Sequence, residues 1–172
     1  MSLLRIRHYP DPVLKQKAVP VTVFDEELRQ LAADMLDTMY AAPGVGLAAP
    51  QVGVSRRLIV LDCSSKEAGQ QPLVAVNPAI LSGDGECCEE EGCLSVPEYY
   101  AKVMRRERVR VRFQDLDGTL RELEVDGLWA ICFQHEIDHL DGILFVDRLS
   151  PLTRSIFRKK YQTIQEQRLE QL

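Results

Sequence analysis

The stretch "ICFQHEIDHLDG", Ile131–Gly142, places two histidines four residues apart, with a glutamate directly after the first. On an α-helix such residues lie about 40° apart in angle and about 6 Å apart along the axis, so His135 and His139 can present their imidazoles to one ion. Going backwards along that face come Cys132, Ile131 and Leu128, while Trp129, Phe133 and Ile137 make the other sides apolar too. A helix apolar nearly all round is buried, so both histidines are expected inside the protein. Asp126 is a candidate cap for its start, and Gly142 is a natural stop.

A lone histidine in such a place reads as a satisfied core residue; two at this spacing beside Glu136 read as part of a metal site. Glu136 lies about 100° round the helix from His135, near enough to reach a water held on the metal, and its neighbours are too apolar for a solvated surface carboxylate. A general base is the better reading.

Two histidines need a third protein ligand. An extended HExxHxxGxxH pattern would supply it locally, and Gly142 stands in register, but Phe145 occupies the last place. His8, and Glu166 or Glu170 in the polar tail, are poor substitutes, because the tail lacks an apolar face to dock it firmly. Cys93, in the glycine-preceded turn "EEEGCLSVPE", is a soft donor in a bendable setting, with Cys87 and Cys88 as competitors that spacing alone does not remove. Cys63 and Cys132 read as small buried hydrophobes. A Cys-His-His set leaves one tetrahedral position for water, the arrangement of catalytic sites; structural zinc sites close with four protein ligands.

The chain of 172 residues, 45% hydrophobic and 27% charged, is long enough for one core, so residues 1–172 are expected to form a single domain. A formal net charge of −5 gives no global reason to expect DNA or an anionic membrane as partner. The N-terminus has no long apolar segment followed by a cleavage site, no membrane span is evident, and five unevenly spaced cysteines make no disulfide framework; a cytoplasmic, reducing setting is expected.

"DEELRQLAADMLDTMYAAPG" carries Leu28, Leu31, Met35 and Met39 at helical spacing, with Asp25 as cap and an end near Ala42. "GVGLAAPQVG", Gly44–Gly53, reads as a special loop in which backbone approaches another group closely. "RRLIVLD" and "PLVAVNP" read as strands, and "ERVRVRFQ" with "TLRELEV" as a hairpin around "DLDG". After Pro151 a polar surface helix is expected.

Taken together, "GVGLAAPQVG", "EGCLS" and "QHEIDH", in that order and at these separations, resemble the three signature motifs of the peptide deformylases. The likeness runs from "HYPDPVL" to "LFVDRLSP". It implies an α+β fold with antiparallel or mixed sheets around a central HExxH helix, and removal of the formyl group from formylmethionine at the N-terminus of new polypeptides. It implies a metal held by Cys93, His135 and His139, in preference to Cys87 or Cys88; iron(II) is the usual physiological ion, with zinc, nickel or cobalt able to replace it. The side-chain amide of Gln51 and the backbone N–H of Leu94 are implied as donors to the oxyanion. Val45, Leu128, Ile131 and Cys132 match the pocket for the methionine side chain, Gly46 and Gly92 let the substrate backbone lie close, and Glu91 supports the site from its rim. The expected mechanism is attack by a metal-activated water, with Glu136 taking its proton and delivering it to the departing amine.

One departure stands at Tyr100, where some members of that family carry an arginine near the substrate's path. In the tail, Arg154, Arg158, Lys159, Lys160 and Arg168 outnumber Glu166 and Glu170, opposite in sign to the whole chain. In bacterial members with such a tail, it docks on the ribosome near the exit tunnel. A general zinc endopeptidase and a metal-stabilised binding module are the competing classes: the first more often takes a third histidine or carboxylate, the second closes its fourth position with another cysteine.

Overall fold

The computed structural model describes residues 2–171. It is α+β: α1 (Glu26–Ala41), α2 (Gly127–Leu140) and α3 (Pro151–Glu170) pack around seven strands, β1 (Gly46–Ala48), β2 (Leu58–Leu61), β3 (Leu73–Asp84), β4 (Cys87–Cys93), β5 (Val96–Arg105), β6 (Arg108–Gln114) and β7 (Leu120–Asp126). One antiparallel sheet runs β1-β2-β3-β6-β7, and β4 and β5 form a separate hairpin.

The five-stranded sheet lies between α1 and α2. Every residue of β2 is buried, which is why "LIVL" reads as a continuous apolar run and not as an alternating one. Leu58 and Val60 join Leu28, Ala32, Met35 and Met39 of α1; Ile59 and Leu61 join Ala130, Phe133, Ile137 and Leu140 of α2. Asp25 caps α1 through the Leu28 N–H at 3.1 Å. Asp126 occupies the N-cap of α2, but its side chain accepts no capping hydrogen bond. Gly142 ends the helix region with φ +75°, and a Cβ there would collide with the Lys15 carbonyl, so the chain can turn back there only with glycine.

Three expectations need correction. The Gly44–Gly53 segment is not wholly loop: it holds β1 and a 3-10 turn at Ala49–Val52, a strand too short to show a pattern. β3 does not end with the short run "PLVAVNP" but continues past Pro78 to Asp84, because a bulge between Val76 and Ala79 and a left-handed Asn77 (φ 51°) accommodate the proline. The tail does carry an apolar face. Phe157 and Tyr161, four apart on α3, are buried among Leu14, Val96, Val103 and Phe145, with the Tyr99 ring 4.6 Å from that of Phe157. Two large aromatics dock the helix that its polar composition conceals. Among the described residues, no helix is long and apolar enough to cross a membrane.

Candidate metal centre

α2 runs beneath a cleft of about 890 Å³, lined on one side by Gly44–Gly46 and on another by β4 and the start of β5. The helix points His135 and His139 upward, and the end of β4 brings Cys93 to them. Their ligand atoms all lie within 4.8 Å of one another: Cys93 Sγ is 3.4 Å from His139 Nε2, which is 3.3 Å from His135 Nε2. Among the described residues, no other group of three such side chains converges so. Cys87 and Cys88 stand at the far end of β4, opposite Arg105 and Met104. Cys93 is the last residue of a strand, not the middle of a turn; a bulge between Glu91 and Cys93 brings it round.

His135 is fixed from behind, whereas His139 Nδ1 is buried without a hydrogen-bond partner among the described residues. Glu91 Oε1 lies 2.9 Å from His135 Nδ1, which leaves Nε2 as the bare donor when Nδ1 carries the proton. Phe145, where a third histidine would stand in the longer motif, stacks on His135 with ring centres 6.1 Å apart. Glu91 is buried beneath the site and not at its rim, because Arg105 holds it there: Nε and Nη2 donate to its two oxygens at 2.8 and 2.9 Å. Arg105 Nη1 also donates to Asp138 at 2.8 Å, and Arg148 grips the same carboxylate at 2.7 and 3.0 Å. Burial works against charge on Glu91, yet Arg105 and His135 outweigh it and hold its carboxyl below the usual range.

No motif or local spacing announces this network of Arg105, Asp138 and Arg148. Its one sequence signal is Arg105 at an inward position of β5, following Val103, where an unpaired charge would be costly.

Glu136 is 3% exposed, and its Oε1 has no hydrogen-bond partner among the described residues. Burial pushes its carboxyl up to about 7. Its Oε2 lies 4.0 Å from His135 Nε2. Around His135, burial opposes a positive charge, but Glu136, Cys93 and Glu91 outweigh it and raise its pKa well above the ordinary value; His139, equally buried, is held well below. Two carboxylates and a sulfur around two imidazoles form an electron-rich site that suits a divalent cation.

The remaining expected residues surround these. Gln51 Oε1 accepts from the Ala48 N–H at 3.0 Å, which turns Nε2 toward Ser95 Oγ at 3.0 Å and Cys93 Sγ at 3.6 Å. Leu94 sits in the turn between β4 and β5, against Gly44. Gly46 and Gly92 make room for side chains of this protein: a Cβ at Gly46 would stand 2.5 Å from Glu136 Oε2, and one at Gly92 2.6 Å from the Tyr100 ring. Cys132 and Ile131 wall the cleft, and Val45 and Leu128 stand at its mouth. Leu128 is 50% exposed, so the first turn of α2 is not buried as its composition implies; the cleft opens over it.

Two histidines and a glutamate on one helix, faced by a cysteine from a hairpin, form a candidate metal site of the kind hydrolases use. The family model for polypeptide deformylase matches residues 3–155, and the chain belongs to that family of enzymes. A peptide deformylase of Thermodesulfovibrio yellowstonii is 50% identical over 95% of this chain and 99% of its own length, and one of Chromobacterium violaceum 52% identical over 98% and 100%. The crystal structure of a peptide deformylase from Legionella pneumophila superposes with TM-score 0.90 at 48% identity, covering 98% of both chains.

Proposed function

We propose that the protein removes the formyl group from formylmethionine at the start of nascent chains, with one divalent ion held by Cys93, His135 and His139. The convergence of Sγ and two Nε2 atoms on the floor of the cleft, beside a buried glutamate, carries this reading. A divalent ion there supplies Lewis acidity to the formyl carbonyl and to water. Iron(II) is the proposed physiological ion, with zinc, nickel and cobalt as substitutes; a thiolate with two imidazoles accommodates them all.

Glu136 Oε1, with no other partner, takes the proton from the attacking water as oxygen bonds to the formyl carbon. It returns that proton to the methionine nitrogen as the C–N bond breaks and formate leaves. Gln51 Nε2, oriented by the Ala48 N–H, and the Leu94 N–H donate to the carbonyl oxygen as it gains charge; loss of one such donor typically costs about 2.7–4 kcal/mol in barrier. Ile131, Cys132, Leu128 and Val45 take the methionine side chain. Formyl-Met-Ala should yield formate, and Met-Ala no product at all; cleavage of an internal peptide bond at comparable rate would replace this reading with that of an endopeptidase.

The protein is further proposed to act in the bacterial cytoplasm as a single catalytic domain, at the ribosome exit. Arg158, Lys159 and Lys160 are exposed on α3 and can meet RNA phosphates. Because Phe157 and Tyr161 tie α3 into the core, truncation is a poor probe. Exchanging the three cations for glutamine should instead lower co-sedimentation with ribosomes at low salt while formate release from free peptide persists; unchanged co-sedimentation would remove the tail's role.

A further inference from the structure

The chain leaving β2 puts a thiol against α2. Ile59 and Leu61 face that helix, and the same alternation carried past the end of β2 brings Cys63 to their side, packed on the cluster that holds Cys132, Phe133 and Ile137. Its neighbours pin the backbone there. The Asp62 N–H donates to the Val45 carbonyl at 2.8 Å, and the Ser64 N–H donates to Asp62 Oδ1 at 3.1 Å. Tyr40 of α1 donates to the other oxygen of that carboxylate at 2.6 Å, so Asp62 is held toward α1 while Cys63 faces α2.

The Cys63 and Cys132 thiols lie within hydrogen-bonding reach of each other, and this contact is the foremost cause that raises the Cys132 thiol well above its ordinary range. The two differ in access. Cys132 is 4% exposed and walls the cleft, whereas Cys63 is half-buried and does not line it. A reagent in solvent therefore meets Cys63 without passing the metal centre.

We propose that Cys63 and Cys132 form a reversible intramolecular disulfide by exchange with a small-molecule disulfide of the glutathione type, and that this bridge reshapes the pocket for the methionine side chain. The effect on the pocket rests on the formyl-peptide reading above; the bridge itself does not. The Cys63 thiolate attacks one sulfur of the external disulfide, a mixed disulfide forms, and one small thiolate leaves and takes a proton from solvent. Cys132 then gives up its proton and attacks the Cys63 sulfur; the bridge forms, and the second small thiolate leaves and is protonated in turn. Two protein thiols are oxidised, and one external disulfide is reduced to two thiols. Once Cys63 carries the adduct it no longer raises the Cys132 thiol, which favours the second step. A covalent S–S bond is much shorter than a thiol–thiol contact, so the bridge draws the Cys132 sulfur off the cleft wall and opens a gap where the methionine side chain packs.

The test treats the metal-loaded protein with glutathione disulfide in the absence of oxygen and maps cysteine linkages by mass spectrometry after digestion. A peptide pair joined through Cys63 and Cys132 should appear, and should vanish on adding dithiothreitol. The functional readout is kcat/KM for formyl-Met-Ala relative to formyl-Ala-Ala, because the alanine methyl is too short to reach the gap and loss of metal would lower both alike. That ratio should fall about five-fold on bridging, less than the roughly ten-fold or more that a whole methylene commands. Cys63→Val leaves the cleft residues as they are; it should release formate like the unaltered protein, with a ratio that does not move on treatment. Cys63 bearing glutathione without any link to Cys132, or a ratio that falls equally in Cys63→Val, would overturn the proposal. A linked pair with an unchanged ratio would overturn its effect on the pocket. Failure to release formate from formyl-Met-Ala before treatment would instead strike at the proposed activity, and the linkage map would still decide the bridge.

Discussion

Glu136→Gln releases formate from formyl-Met peptides about 10²- to 10⁴-fold more slowly than the unaltered protein, with the same metal content per chain. The amide has the shape of the carboxylate and does not alter Cys93, His135 or His139, so the donor set survives. It cannot accept and return a proton. The surroundings leave no other group to do so: Glu91 is locked to Arg105 and His135, and Glu136 Oε1 is the unpartnered carboxylate oxygen facing the cleft. Gly46, which approaches so closely that a Cβ would strike Glu136 Oε2, holds that side chain beside the site. Stability should change little or rise slightly, because a buried ionisable group is replaced by a neutral one. The checks are kcat at saturating formyl-Met peptide and metal analysis of the same sample; full activity would remove Glu136 as proton carrier.

Arg105→Met destabilises the fold by about 3–5 kcal/mol, because it leaves Glu91 buried without its counter-charge. The residue is 5% exposed and supplies three hydrogen bonds to two carboxylates. Asp138 keeps Arg148, so the penalty concentrates on Glu91. A domain with about 5–15 kcal/mol of stability loses much of its margin. The same change frees Glu91 from its clamp on His135 Nδ1 and should weaken metal retention about 10- to 100-fold. Urea midpoints and metal competition read the two effects separately. Adding Glu91→Gln should recover part of the stability, since the orphaned charge goes, but not the metal affinity; no loss in the single variant would contradict the role given to this network.

Much of this site was legible because its chemistry is local. Helical spacing places His135, Glu136 and His139 relative to one another before any tertiary fold is known, and the structure keeps that arrangement. Cys93 is different: spacing left it level with Cys87 and Cys88, and the three-motif resemblance pointed to it. The hairpin then separates them physically, since β4 puts Cys93 at the helix and the other two at its far end. The supports of the site were hidden for the same reason. Arg105 lies more than thirty residues from its partner Asp138, and no local pattern announces a pairing across that distance. The composition of α3 conceals its docking: two aromatics at one spacing dock a helix that is otherwise polar.

The most direct measurement of the central claim sets Cys93→Ser against Cys87→Ser, with bound metal and formate release from formyl-Met-Ala measured on each. Cys93→Ser should lose most of its metal and its activity together, whereas Cys87→Ser should match the unaltered protein in both. Retention of metal and full deformylation by Cys93→Ser, or their loss in Cys87→Ser, would contradict a centre built from Cys93, His135 and His139.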